Sequence, residues 1–199
     1  MAGKQLKRFE KWRAQLPART AYFVQLVLDE IVPVFEANGL VRHADYGGDS
    51  AEAVARHTIG LQRRAGAAWP TVEISFDQRN RPMLGLTFAL LPEPCYRQGT
   101  NGGAEIARIA ANVVEGDAYF NLCKERGFIV NFGYWFALLP QRRARREIDQ
   151  LKALLPFLLS LLDTGIPDDW VGQAGKVHPN VFANRGARQL ARRRDGAAG

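Results

Sequence analysis

Cysteine is scarce in this chain of 199 residues, which contains only Cys95 and Cys123. Two cysteines cannot form a disulfide framework, and these two do not stand in a C-x-x-C pattern. We therefore expect reduced thiols, as in a cytoplasm. Hydrophobic residues make up 47% of the chain and charged residues 24%, a composition typical of a globular protein that buries a core without a disulfide or a metal.

Long apolar segments are lacking as well. The most apolar one, residues 154–162, is far shorter than the roughly 20 residues that a transmembrane helix needs, and charged residues flank it. The basic amino-terminal residues are not followed by the apolar segment of a secretory signal. The sequence thus predicts a cytoplasmic protein that does not insert into a membrane.

Recognisable catalytic and cofactor-binding motifs are missing too. The GTNGG segment at residues 99–103 lacks the lysine and the serine or threonine of a phosphate-binding Walker loop. His43 and Asp45 lie two residues apart on one predicted strand and His57 lies on the next, so they are candidates for a metal-dependent hydrolase site. We favour the interpretation that they are three unrelated polar residues at a sheet edge or in a loop, because no further ligands follow in a recognisable pattern. We predict no cofactor, no metal and no catalytic residue.

Positive charge is concentrated at the two ends of the chain. The net charge is +7, to which residues 173–199 contribute +5, residues 1–16 contribute +4 and the remainder −2. Basic ends bind phosphate groups, anionic lipid or acidic protein surfaces, and they also keep proteins soluble. No aromatic side chain stands among the last arginines to stack on a base. The candidates for a nucleic-acid-binding arm are Arg192, Arg193 and Arg194.

A second cluster of arginines begins the last predicted helix. A helix amino terminus carries a partial positive charge, so these side chains oppose the helix dipole. They form either an anion-binding site, together with exposed backbone N–H groups, or a solvated face. If the face is only solvated, exchanging Arg142 and Arg146 for glutamate stabilises the fold slightly; if it is an anion site, the exchange abolishes heparin retention. The cluster comprises Arg142, Arg143, Arg145 and Arg146.

Apolar residues recur at helical spacing in several segments. Pro33 is expected to bend the second helix, and Pro140 is expected to start the last one as its first residue. The predicted helices cover residues 4–15, 18–38 and 140–164, with one or two short helices in 104–127, the later over 117–126.

Between the helical segments the apolar period is close to two, and glycine- and asparagine-containing turns separate short segments. Residues 173–199 show no periodicity, and we expect them to form a flexible basic tail that is dispensable for folding. The predicted strands cover residues 40–46, 57–63, 71–76, 83–91 and 128–138, the last of them buried and rich in aromatic residues.

These elements predict an α+β fold, with an antiparallel β-sheet of about four to five strands packed on N-terminal and C-terminal helices. Residues 1–172 are expected to form a single domain that includes a basic helix within 1–17. Residues 173–199 are expected to lie outside it.

The order of the segments resembles the domain of unknown function 4304 family over residues 21–170. The residues that carry the resemblance are LDEIVPVFEANGLVRHADY, the glutamine-containing strand HTIGLQRR, the strand pair TVEISF and MLGLTFALL, and GYWFALL before a long helix that ends in DTGIP. The resemblance implies a fold and no chemistry, because the family has no assigned activity to carry over.

The function that these observations favour is a binding module without catalysis, whose partner is a protein or an anionic polymer. The alternative is a nucleic-acid-associated accessory protein that uses the basic ends and the arginine cluster. A metal-dependent hydrolase ranks third. The sequence leaves the oligomeric state open.

Overall fold

The computed structural model describes residues 4–42, 56–66, 68–92, 119–124 and 131–184. These residues fold into helices and one antiparallel sheet, which confirms the predicted α+β class. The helices are α1 (Lys4–Arg13), α2 (Ala18–Leu26), α3 (Val32–Ala37) and α4 (Pro140–Thr164), with a π-helical turn at Val27–Ile31 and a 3₁₀ turn at Asp168–Trp170. The strands are β1 (Val41–Arg42), β2 (Thr58–Gln62), β3 (Ala68–Phe76), β4 (Met83–Pro92), β5 (Tyr119–Leu122), β6 (Phe132–Gly133), β7 (Gly175–His178) and β8 (Val181–Ala183).

The described part of the sheet has eight strands in the order β1-β2-β3-β4-β5-β8-β7, and β6 pairs with the start of β4. The prediction of about four to five strands was therefore too low. Three of the additional strands come from segments that were predicted to be a helix or a tail. Each has four residues or fewer, too short for a clear period.

One face of the sheet forms the core with the helices. Apolar and polar side chains alternate along β3, and the apolar Val72 and Ile74 pair with Phe88 and Leu86 of β4 in the core. This alternation is the period-two pattern expected of strands, and it confirms the predicted strands at 71–76 and 83–91. The helices supply the other half of the core, including Phe9, Trp12, Phe23, Val24, Ile148, Leu151, Leu155 and Leu158.

The second predicted helix is interrupted where Pro33 follows. Proline lacks an N–H and its ring clashes with the carbonyl four residues earlier. The chain responds with the π-helical turn Val27–Ile31, in which the N–H of Val32 donates to the carbonyl of Val27, five residues back. The structure thus has a widened turn at the predicted bend. Pro140 begins α4, as predicted.

The predicted buried strand at 128–138 is wrong over most of its described part. Only Phe132–Gly133 is a strand, and Trp135, Phe136 and Leu138 are exposed. An aromatic run favours a strand, but Gly133 has a φ of +133°, so the chain turns away from the sheet after two residues. Residues 128–130 lie outside the described part.

The predicted helix over 117–126 is also wrong where the structure describes it. Residues 119–122 form β5, in which Phe120 and Leu122 are buried and Tyr119 and Asn121 are partly exposed. This period of two outweighs the helical spacing of the residues before it. Most of the predicted short helices in 104–127 lies outside the described residues.

The prediction of a flexible tail is wrong for residues 175–183. They form the hairpin β7–β8, and β8 pairs with β5. Val181 and Ala183 are fully buried because they alternate on the helix-covered face. Residues 185–199 lie outside the described part. Among the helices that the structure describes, none is long and apolar enough to span a bilayer.

Candidate anion-binding groove

The four arginines predicted as one cluster lie on different faces of α4. Arg145 forms an ion pair with Glu30 of the π-helical turn, which Lys152 also contacts. Arg143 pairs with Glu147 one turn later on the same helix. Within the described residues, Arg142 and Arg146 form no ion pair and their side chains are exposed. The sequence cluster is therefore not a single site.

Two of the four arginines line a groove with a volume of about 540 Å³. Arg143 and Arg146 face it from α4, and Lys124 faces it from the residues after β5. The groove runs along α4 beyond its first turn, and Asn180 in the turn between β7 and β8 also lines it. Its described lining consists of Lys124, Phe132, Arg143, Arg146, Gln150, Ala153, Leu154 and Asn180.

A buried carboxylate fixes two of the cations. Glu147 is fully buried, and its Oε2 accepts a hydrogen bond of 2.9 Å from the backbone N–H of Gly133. Lys124 forms an ion pair with the same oxygen, and Arg143 lies 3.0 Å from Oε1 without hydrogen-bond geometry. A buried charge needs partners of this kind, because desolvation otherwise penalises it strongly. Glu147 thus holds Lys124 and Arg143 at the groove.

Gly133 is required for this arrangement. A Cβ at this position would lie 2.2 Å from the carbonyl oxygen of Pro82 and 2.6 Å from the Cα of Met83. The short pairing of β6 with β4 brings these backbones together, and it aims the Gly133 N–H at Glu147. Any other residue would move β6 and one wall of the groove.

The electrostatic balance of the described lining is positive. Lys124, Arg143 and Arg146 supply three cations, and Glu147 neutralises one of them. Gln150 and Asn180 add amide groups that donate hydrogen bonds. Arg146 is the cation that has no acidic partner among the described residues. Guanidinium, ammonium and amide groups around one groove are suited to bind phosphate or carboxylate oxygens.

The free backbone N–H groups at the start of α4 belong to Gln141 and Arg142, which are outside the described lining of the groove. Pro140, the first residue of α4, has no N–H, and the N–H of Arg143 donates to the carbonyl of Leu139 at 3.0 Å. The groove is therefore a side-chain site on the flank of α4 and not a helix-terminus site.

The predicted polar cluster is only partly described, because His43 and Asp45 lie outside the described residues. His57 is half-buried beside the ring of Trp12, at 6.1 Å between centroids. Burial lowers the pKa of His57, the charge of Arg56 lowers it further, and the carboxylate of Asp77 opposes the change. In the described part of the chain, no group of three or more His, Cys, Asp or Glu side chains could hold a metal. The hydrolase hypothesis stays untested.

His57 lines a second, polar cavity of about 340 Å³ at the end of β3 and the start of β4. Asp77 also lines it, but this carboxylate is engaged by Arg81, whose hydrogen bond lowers the pKa of Asp77. Thr87 and Asn121 at the same cavity bond to each other across β4 and β5, at 2.7 Å. The polar groups described here mostly satisfy one another, so this cavity is the weaker candidate.

The remaining candidates give no site. Arg192, Arg193 and Arg194 lie outside the described residues, as does Cys95. Cys123 is buried, and burial raises the pKa of its thiol above the usual value, although the charge of Lys176 opposes this. A raised thiol pKa disfavours the nucleophilic thiolate.

Sequence reasoning missed Lys124, Glu147, Gln150 and Asn180. One signal was available for Glu147, which lies on the apolar stripe of α4 with Ile148 and Leu151 and four residues after Arg143. An acidic residue on a core-facing stripe indicates a buried ion pair. No local signal marks the other three, because their segments meet only in the folded chain.

Comparisons of this chain with family models, with curated proteins and with solved structures give no match. The resemblance to the domain of unknown function 4304 family therefore stays a prediction.

Proposed function

We propose that this chain is a cytoplasmic binding module, without catalysis, that holds a phosphate-bearing polymer in the groove beside α4. The observation that carries the proposal is the convergence of Lys124, Arg143 and Arg146 on one groove from two separate segments. Their charge exceeds that of the single buried carboxylate, so the groove attracts an anion.

The groove favours binding to a phosphate backbone over reading of bases. Phe132 is the aromatic residue in the described lining, but its ring is only 1% exposed and lies beneath Lys124, whose Nζ is 5.9 Å from the ring centroid. A ring so deeply buried offers no face for a base to stack on. Cations and amides remain, and they contact phosphates without regard to sequence. A nucleic acid is thus one polymer of the proposed class, bound through its backbone.

Two single charge reversals on the same helix test the proposal. Arg146→Glu changes a residue that lines the groove, and Arg142→Glu makes the same change one turn earlier at a residue outside the described lining. We expect salt-dependent retention of the parent on heparin and a clearly lower eluting salt concentration for Arg146→Glu than for Arg142→Glu. With a DNA oligonucleotide, Arg146→Glu should weaken binding about tenfold and reduce the slope of log K against log salt by about one.

Thermal melting of both variants serves as the control. Both side chains are exposed, so neither change should unfold the protein. An acid in the first turn of α4 should stabilise Arg142→Glu by about 0.5 kcal/mol. Equal shifts on heparin for the two variants, or no retention of the parent, would contradict a phosphate site in the groove.

A further inference from the structure

An apolar loop stands out from the surface between β6 and α4. Among the large hydrophobic side chains that the structure describes as exposed, four of six lie in residues 135–139. Their exposed fractions are 64% for Trp135, 78% for Phe136, 89% for Leu138 and 58% for Leu139. Such a concentration of exposed apolar side chains marks an interaction site.

Hydrogen bonds of Tyr134, the residue before the loop, hold the base of the loop in place. The hydroxyl of Tyr134 donates to the carbonyl of Pro140 at 2.9 Å, and the N–H of Tyr134 donates to the carbonyl of Pro82 at 3.1 Å. The Tyr134 ring itself is buried against Phe23. The loop is therefore held by its base, and its tip points away from the core.

Unpaired positive charge lies next to the loop. Residues 134–146 contain four arginines and no acidic residue; Arg143 pairs with Glu147 and Arg145 with Glu30, which leaves Arg142 and Arg146 without an acidic partner among the described residues. Arg142 is exposed in the first turn of α4, directly after the loop. Arg19 is exposed as well and lies near Tyr134: burial raises the pKa of the Tyr134 hydroxyl, and the charge of Arg19 opposes this change. The guanidinium of Arg81 lies 4.3 Å from the centre of the Trp135 ring and supports that ring, but its charge is paired with Asp77 and adds little to the positive charge of the surface. A binding partner that complements this surface has an apolar interior for the loop and anionic groups at its edge for the arginines.

We propose that the loop at residues 135–139 docks the protein on an anionic lipid surface, with Trp135, Phe136, Leu138 and Leu139 entering the headgroup region. A tryptophan with neighbouring leucine and phenylalanine, next to arginines, is the combination that binds at a membrane interface. The contact is peripheral and does not depend on the groove. A specific protein interface uses about 20 to 30 residues on each side, whereas here four of the six large apolar side chains that the structure describes as exposed lie within five consecutive residues.

Sedimentation with vesicles tests the proposal on the full chain. We expect the parent to bind vesicles of phosphatidylcholine and phosphatidylserine and to bind pure phosphatidylcholine much more weakly. The double variant Phe136→Ser/Leu138→Ser should lower the partition constant about tenfold or more. Arg142→Glu should lower it about fivefold or more. The matched control is Val41→Ser, at a side chain with 59% exposure outside the loop, and it should bind as the parent does.

The fluorescence of Trp135 shows whether the loop enters the headgroup region of the vesicles. Emission of the parent should shift to shorter wavelength with the anionic vesicles. Trp135→Phe should lose this shift yet keep its sedimentation, because phenylalanine preserves the apolar contact. Far-ultraviolet circular dichroism of each variant checks that it is folded, which is expected because the changed side chains are exposed.

Three results would overturn the proposal. The first is a parent that does not sediment with anionic vesicles. The second is a Phe136→Ser/Leu138→Ser variant that binds as the parent does while Arg146→Glu binds less, since the groove alone would then hold the lipid. The third is concentration-dependent self-association that the same double variant removes in the absence of lipid, which would assign the loop to a second copy of this chain.

Discussion

At the scale of single residues, the groove depends on side chains that the core holds in place. Glu147 is fully buried and contacts two of the three cations, so it sets their positions without being accessible to a ligand. Gly133 supplies the backbone donor for this carboxylate. Changes that disrupt the contacts of Glu147 with Gly133 and the two cations are therefore expected to lower the affinity of the groove for anions.

Gly133→Ala is predicted to destabilise the protein by on the order of 3 kcal/mol, because the added methyl group meets backbone atoms and the φ of +133° is unfavourable for alanine. The matched control is Gly66→Ala, where φ is +60° and no atom lies within 4 Å of the new Cβ. That change should cost only about 1 kcal/mol. Urea unfolding of both variants measures the difference, and equal costs would show that β6 can move away from β4.

His57 is predicted to make stability depend on pH below neutrality. Its folded pKa is lowered, chiefly by burial, so the unfolded chain binds a proton more readily than the folded one. Its contribution to the free energy of unfolding is therefore complete above the unfolded pKa of about 6.5 and falls as the pH drops below that value. When the pH is lowered from about 7.5 to about 5.5, the melting temperature of His57→Gln should fall less than that of the parent. Identical losses would contradict this assignment.

At the scale of elements, the carboxyl-terminal hairpin is part of the sheet. β8 is the neighbour of β5, and it places Val181 and Ala183 in the core. The turn before it brings Asn180 to the groove. A hairpin of short strands thus has both a stabilising role and a place in the candidate site.

Truncation separates the hairpin from the residues after it. Removal of residues 173–199 should lower the melting temperature by more than about 10 °C, because it exposes the edge of β5 and the core beneath it. This reverses the expectation from the sequence that these residues are dispensable. Removal of residues 185–199 alone leaves the hairpin intact and is the matched control. Equal melting temperatures for the two truncated chains would contradict the docking of β7 and β8.

At the scale of the whole molecule, the net charge of +7 is a poor guide to where an anion binds. Removal of residues 185–199 takes away five arginines and one aspartate and leaves a net charge of +3. The double variant Arg146→Glu/Gln150→Glu leaves +4. If net charge governed binding, the truncated chain would elute first from heparin.

We predict the opposite order. The double variant places two carboxylates in the groove, so it should elute at a lower salt concentration than the truncated chain, although it carries more net positive charge. Elution of both chains over a salt gradient decides the question. Earlier elution of the truncated chain would assign anion binding to the end of the chain.

The sequence by itself determined the elements with a strong period. The stripe that includes Ile148 and Leu155 predicted α4, and the alternation around Val72 predicted β3, since burial of one face imposes the same period on sequence and structure. The α+β class follows from the order of these elements. Short strands such as β5, β7 and β8 were not predicted, because three or four residues are too few to show a period of two in the sequence.

Only the tertiary structure decided the site. The arginines of α4 were visible in the sequence, but a helix turns by about 100° per residue. Arg145 and Arg146 therefore project on different sides, and of these two Arg146 reaches the groove. Lys124 and Asn180 join it because the pairing of β5 with β8 brings the ends of these strands together. The aromatic run after Gly133 was read as core, and the close approach of β6 to β4 turned it outward. Contacts between distant segments carry no local signature, and for that reason the groove and the exposed loop appear only in the folded chain.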